Sequence, residues 1–355
     1  MTIAPDDLTK FCVRALRAAG VNDADARTTA DVLVTTDAMG VFTHGTKSLR
    51  GYLRRLRAGG LRADGRPAIT AQGAAWALVD GNSTLGMVTA TFAMRTAIDK
   101  AASAGIAYVG VRNTCHFGAA GYYAHLAVSR DMVGIAMAND IPTVAAPGSR
   151  GAVTGSNPLA YAVPAGEERP ILLDMATSTV AGGKVYVARA TGRPIPDNWI
   201  VGPDGLPTTD GTLFPEQSAL TPMSGHKGYG LALLIESLSA LATGAAMTWQ
   251  VRNWIQRDPS LPTGHGAAFI AIDIGAMTPI EPFKRRVDEM IRQMRGAPRA
   301  SGTERIYVPG EMEWERREQS LAEGIALPAD VIQNLRGVAE DLRLDLPASL
   351  TTTAA

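Results

Sequence analysis

Between Trp76 and Asn139 the chain alternates two kinds of apolar run, and that alternation constrains its fold more than any other feature. Short apolar runs, WALVD (76–80), IAYVGV (106–111) and MVGIAMAN (132–139), are separated by longer ones, MVTATFAMRTAIDKAASAG (87–105) and GAAGYYAHLAVSR (118–130). The short runs suit buried strands and the long ones suit helices, the first of them closed by Gly105. Strand, helix, strand in repetition predicts an α/β layer architecture with at least partly parallel strands, because a helix is the usual crossover between them. ILLDMA (171–176) and AAFIAID (267–273) are further candidate strands.

The flanks read differently. Asp6 can cap a helix with apolar residues at Leu8, Phe11, Cys12 and Leu16, ending by Gly20, and a second helix runs from Asp23 through Val34. Residues 37–60 turn at glycines into an amphipathic helix closed by Gly59 and Gly60. From Glu281 the chain is mainly helical, with one extended stretch, RIYVPG (305–310). The expected division is therefore a helical segment over 1–75, an α/β core over 76–280, a helical segment over 281–345 and a frayed tail over 346–355.

Hydrophobic residues make up 46% of the chain, enough for a large core, and acidic and basic residues balance at 34 each. Such neutrality argues against nucleic acid or an anionic membrane as the main partner. The N-terminal stretch carries charge inside its apolar run, unlike a signal peptide. The longest apolar run, Tyr229 to Met247, is interrupted by Glu236, Ser237 and Ser239, which favours a buried helix over a membrane span. Cys12 and Cys115 cannot build a disulfide framework. A cytoplasmic protein is expected. No G-x-G-x-x-G follows a predicted strand, and P-loop, H-E-x-x-H and paired C-x-x-C motifs are missing, so the common nucleotide- and zinc-binding frameworks fail.

Three of the five histidines sit among glycines and small polar residues: His44 in THG, His116 in CHFG and His226 in GHKG. Glycine neighbours let the backbone approach a ligand, and imidazole suits proton transfer near neutral pH. The plainer reading of any one of them is an ordinary loop histidine. His125, inside a helix, and His265, in PTGHG, read as structural. Lys227 stands at a helix start, where a cation beside free N–H groups can hold phosphate or carboxylate or can simply be solvated. Asp174 ends a strand and is followed by Thr177, Ser178 and Thr179, which can hold a phosphate or cap a helix. Residues 139–164 read as a long functional loop.

Taken in order, DAMGVFTHG (37–45), VRNTCHFGAAGYYA (111–124), GSNPLAYAVP (155–164), LDMATSTVAGGK (173–184), SGHKGYGLAL (224–233) and RIYVPGE (305–311) resemble the malate/L-lactate dehydrogenase family of the non-Rossmann type, to which ureidoglycolate dehydrogenase, 2,3-diketogulonate reductase, sulfolactate dehydrogenase and piperideine-2-carboxylate reductase belong. The resemblance implies a non-Rossmann, mixed-sheet NAD(P)-binding core with the helical N- and C-terminal segments packed together. It also implies hydride transfer, with NADH or NADPH, at C2 of a 2-oxo acid or 2-hydroxy acid of the malate, lactate or sulfolactate kind. The alternative is a cyclic or N-alkyl imine of a 2-oxo acid. A homodimer with the cofactor near the subunit interface is implied as well.

By the same resemblance His44 and His116 are the catalytic histidines. Thr43, Lys47, Ser48, Tyr52, Thr154 and Ser156 fall at substrate-binding positions. Asp140, Asp174, Met175, Ala176, Thr177, Ser178, His226, Lys227, Pro309, Gly310 and Glu311 fall at cofactor positions, and no metal is implied. The chain departs from the family pattern at Thr43, usually Ser, at Ser48, usually the Arg that holds the substrate carboxylate, and at Asp140, usually Ser or Thr. A serine cannot make the bidentate clamp of a guanidinium. Either Lys47 or Arg50 takes that role, or the substrate is no simple 2-oxo monocarboxylate, and Asp140 would then favour a cationic iminium. Two readings from other classes are a metal hydrolase using His44, His116 and Asp174, and a non-catalytic binding homologue.

Overall fold

The computed structural model describes residues 2–255 and 258–351. Its centre is a seven-stranded mixed sheet of β1 (Ala68–Gln72), β2 (Trp76–Asp80), β3 (Ile106–Thr114), β4 (Met132–Ala138), β5 (Leu159–Val163), β6 (Ile171–Met175) and β7 (His265–Asp273). The order across the sheet is β1-β2-β3-β7-β4-β5-β6. Only β2 and β3 pair in parallel, and every other neighbouring pair is antiparallel. β3, β4 and β6 still run in one direction. β3 and β4 do not touch because β7, from far along the chain, lies between them, with Phe269 opposite Val109 on one side and Ala136 on the other.

Helices cover one face of the sheet. α1 (Pro5–Ala18), α2 (Asp23–Ala38) and α3 (Leu49–Ala58) precede the sheet; α4 (Gly86–Ala104) crosses from β2 to β3, and α5 (Ala120–Leu126) lies between β3 and β4. α4 is apolar around most of its circumference because it is enclosed, with Met87, Ala90, Ala93, Met94 and Ala97 all buried. The inward side chains of β3, Ala107, Val109 and Val111, join this core, while Tyr108 faces the other way. On that opposite face Met137, Ala268 and Ile270 meet Ile235 and Leu231 of α7 (His226–Glu236). α6 (Gly182–Ala190) packs with a small five-stranded sheet drawn from residues 144–220 around Val180, Val185, Ile195 and Phe214.

The C-terminal helices separate. α8 (Ile280–Arg295) lies beside β6, sharing Val287 and Ile291 with Ile171 and Val308, whereas α9 (Glu311–Glu323) and α10 (Ala329–Leu342) join the N-terminal helices.

Four local expectations change. α1 is preceded by Ala4 at its cap, and Asp6 lies in the first turn. Residues 139–164 are not one loop: they hold strands at Val144–Ala145, Ala152–Thr154 and β5, each pairing its backbone with a neighbour. The run from Tyr229 to Met247 is not a buried helix, because α7 ends in a π-helical turn at Ser237–Leu241 and leaves Leu233, Leu234 and Leu241 exposed. The tail is not frayed through Thr351: Ala348–Thr351 forms a helical turn, α11, that buries Leu350, with Arg336 donating to the Leu350 carbonyl. Residues 352–355 lie outside the described residues.

Candidate active site

Because β3, β4 and β6 are co-directional, their C-terminal ends open on the same edge of the sheet, where α/β folds place ligands. A cavity of about 820 Å³ lies there. Its wall is completed by the turn after α2, the start of α6 and the segment leading into α9.

The turn after α2 carries His44. Asp37, on the last turn of α2, accepts a hydrogen bond from the Thr46 N–H at 3.0 Å and another from the Thr46 hydroxyl. Residue 45 must be glycine for this, since a Cβ there would lie 1.8 Å from Asp37 Oδ1. Burial pushes the Asp37 carboxyl up to about 7. His44 Nδ1 meets the Thr43 hydroxyl at 2.9 Å.

β3 delivers His116. Its Nδ1 lies 2.6 Å from the Tyr52 hydroxyl and 3.3 Å from the Gly118 N–H. Its ring stacks on Trp254, with centroids 4.4 Å apart and planes 15° off parallel, and faces His44 at 5.5 Å. Burial, helped by the neighbouring His44, pulls His116 down to about 3. Burial also lowers His44, against the pull of the Asp174 and Asp140 charges.

β6 ends at Asp174. This residue presents surface to the cavity while lying deep in the protein, and that burial raises its carboxyl against the Gly121 N–H, which donates at 2.7 Å. Asp140, at the end of β4, is held low: burial opposes its charge, but a hydrogen bond and charge from His265 outweigh it. His265 Nε2 lies 3.2 Å from Asp140 Oδ1.

Of the residues singled out in the sequence, Thr43, His44, Lys47, His116, Asp140, Ser156, Asp174, Met175, Ala176, Ser178, Pro309 and Gly310 line this one cavity. Others support it from outside. Tyr52 is fully buried and touches His116, so it cannot meet substrate directly. Thr177 is buried and donates to the Ser156 carbonyl. Glu311, 5% exposed, holds Arg295 and Arg305 and accepts from the Val308 N–H, which fastens the Pro309–Gly310 turn. Ser48 is buried, with its hydroxyl 3.4 Å from the Thr43 carbonyl, and Thr154 is buried away from the cavity wall. Arg50 is paired with Asp341 and lies outside the wall, so it cannot replace the missing clamp; Lys47 lines the wall but is paired with Asp330 at 2.6 Å. His226 and Lys227 are exposed at the start of α7, behind the turn at 177–179 and not in the cavity.

His265 corrects the structural reading given to it. The antiparallel insertion of β7 brings its first residue to the edge where β3 and β4 end. Its glycine neighbours, Gly264 and Gly266, were the same signal that marked the other histidines. Glu313, which lines the cavity, and Trp254, which stacks on His116, carried no comparable signal. Among the described residues no three His, Cys, Asp or Glu side chains converge as a metal site.

The sequence profile of the malate/L-lactate dehydrogenase family matches residues 3–336. A malate dehydrogenase of Pyrococcus abyssi is 36% identical over 344 residues, 95% of this chain and 94% of that one. A Delta(1)-pyrroline-2-carboxylate/Delta(1)-piperideine-2-carboxylate reductase of Pseudomonas putida is 31% identical, covering 89% and 91%. The solved sulfolactate dehydrogenase of Methanocaldococcus jannaschii superposes with a TM-score of 0.90 at 35% identity, covering 98% of both chains.

Proposed function

Since the chain belongs to the malate/L-lactate dehydrogenase family, we propose that it transfers hydride between a nicotinamide dinucleotide and C2 of a 2-oxo acid or the corresponding 2-hydroxy acid, in the cavity at the strand ends. The observation that carries this reading is the convergence of His44, His116 and Asp174 on one cavity, with the two rings 5.5 Å apart.

The residues fit such a cofactor. α6 starts at the cavity wall with no side-chain cap, and Ala181, Gly182 and Gly183 line the wall there, so its first N–H groups can hold a phosphate. The Asp174–Ala176 strand end, Ser178 and the Pro309–Gly310 turn form the rest of the cradle. When bound, the dihydronicotinamide supplies a hydride for C2. Each hydride gained at C2 requires one proton at the substrate oxygen. This reading assigns that proton to His44, which lines the cavity with Asp174; burial lowers the ring's proton affinity, and the Asp174 charge works against that lowering. General acid help of this kind is worth about 10²–10⁴-fold.

A second reading is favoured by Asp140 in the cavity wall and by the absence of an arginine clamp at Ser48: the substrate is a cyclic imine of a 2-oxo acid, as named for the Pseudomonas putida relative. The test is a panel of 2-oxo acids with and without methylamine, together with piperideine-2-carboxylate, followed by nicotinamide absorbance with NADH and with NADPH. Turnover of oxo acids alone supports the first reading, and turnover only of imines supports the second. Cofactor binding with no turnover would make the chain a non-catalytic homologue. His44→Ala should lower kcat by at least about a hundredfold while leaving cofactor affinity within a few-fold.

The working unit in this proposal is a homodimer joined through α7, whose outer side exposes Leu233, Leu234 and Leu241 beside His226 and Lys227. A cytoplasmic setting accords with Cys12 and Cys115, both buried free thiols. Among the described residues no helix is long and apolar enough to cross a membrane.

A further inference from the structure

Two donors converge on one nitrogen of His116. The Gly118 N–H can only donate, so Nδ1 must offer it a lone pair, and the Tyr52 hydroxyl at 2.6 Å completes the arrangement as a second donor. A neutral imidazole whose Nδ1 accepts carries its single hydrogen on Nε2. Such a ring can donate a hydrogen bond from Nε2, but it has no lone pair there to take a proton from a substrate.

The ring is also covered. Trp254 stacks on His116 and, with centroids 5.0 Å apart, on Tyr52. Trp254 belongs to a loop held from beneath by Arg55, whose fully buried guanidinium donates to three of the loop's carbonyls: Trp254 at 2.7 Å, Leu261 at 2.8 Å and Asn253 at 3.1 Å. Three carbonyl acceptors on a guanidinium fork fix a backbone more tightly than apolar packing alone would.

We propose that His116 acts as a fixed Nε2–H hydrogen-bond donor to the substrate oxygen and exchanges no proton, and that Arg55 is a positioning residue that holds this ring in place through Trp254. The proposal rests on the hydride-transfer reading above and divides its labour: His44 carries the proton, and His116 polarises the bond that the hydride attacks.

The ring state is read without substrate or cofactor, by long-range ¹H–¹⁵N correlation on protein labelled at its five histidines, with His116 assigned by its loss in His116→Gln. At pH 7 the expected result is an unprotonated Nδ1 and a protonated Nε2, unchanged on acidification to pH 5. A hydrogen on Nδ1, or an imidazolium at pH 7, overturns the assignment. Trp254→Ala uncovers the ring, so its protonation should enter the range between pH 5 and 7, and an acid limb should appear in the kcat profile. Arg55→Met should reproduce this, with Arg55→Lys intermediate. If His116 titrates in Arg55→Met as in the parent protein, the role of Arg55 fails; should that variant not fold, Arg55→Lys and Trp254→Ala are judged by the same spectra.

Turnover then separates donor from proton carrier. A glutamine amide donates a hydrogen bond but shuttles no proton, so His116→Gln should stay within about tenfold of the parent kcat, while His116→Ala loses about 10²–10³-fold. Equal loss in both overturns the donor role. A protein that turns over none of the panel substrates sinks the hydride-transfer reading yet leaves the spectroscopic result standing, so the two failures can be told apart.

Discussion

Asp37 never reaches the cavity, yet it holds the turn that does. Its carboxyl is buried beneath Gly45 and Thr46, and that burial raises it to about 7, against 3.8 for an unfolded chain. The folded state therefore keeps a proton that the unfolded state releases between these values, and stability falls as pH rises from about 4 to about 7, then levels. The contribution lost is on the order of 4 kcal/mol across the window. An asparagine amide in its place would accept from Thr46 in the same way and never ionise. Thermal melts of Asp37→Asn and the parent protein at pH 5 and pH 8 should therefore show the variant gaining on the parent by several degrees at the higher pH. A constant difference between them would mean that Asp37 stays ionised in the fold. At this scale the sequence made His44, His116 and Asp174 visible because glycine neighbours and a strand end are local signals. Tyr52, Trp254 and Arg55 act on His116 from 64, 138 and 61 positions away in the chain, and no local pattern relates them.

Elements built from near neighbours were legible for the same reason. WALVD became β2 at its expected bounds, and the crossover helix at 87–105 became α4 within a residue at each end. What local pattern could not give was partnership. β7 reads as a strand, but only tertiary packing inserts it between β3 and β4, and that insertion keeps those two co-directional strands apart and delivers His265 to the site. The Pro309–Gly310 turn shows how an element's contacts decide function. Leu172 of β6 donates its N–H to the Pro309 carbonyl at 3.0 Å, and Gly310 has φ of +94°. A Cβ on residue 310 would come within 2.8 Å of both Cβ and carbonyl oxygen of Leu172. Gly310→Ala must therefore lift the turn from β6 as well as strain it, narrowing the cradle assigned to the dinucleotide. Titration of nicotinamide fluorescence should show affinity reduced about tenfold or more, a cost of roughly 1.4 kcal/mol. Affinity equal to that of the parent would remove the turn from the cofactor site.

For the whole molecule, α7 joins two surfaces that the chain alone does not reconcile. Inward, Glu236 is buried and accepts from Asn157 Nδ2 at 2.9 Å and Asn139 Nδ2 at 3.3 Å, while Asn157 Oδ1 accepts the Asp140 N–H at 3.1 Å; the helix is thereby tied to the cavity wall. Outward, Leu233 is 41% exposed, Leu234 53%, Leu241 60% and nearby Trp249 68%. Apolar side chains grouped in this way beside a site are characteristic of a surface that another copy covers. His226 and Lys227 open the same helix. Leu234→Lys adds a charge where solvent already reaches, so the fold should tolerate it, whereas a self-complementary interface would have to bury that charge twice. Sedimentation at micromolar concentration should show the parent as a dimer and Leu234→Lys as a monomer with an unchanged circular-dichroism melt. If His226 and Lys227 serve a cofactor held at the interface, nicotinamide affinity falls with the dimer and returns as protein concentration is raised. A parent protein that sediments as a monomer, or a monomeric variant that binds cofactor as tightly as the parent, would detach α7 from the site and leave its apolar side unexplained.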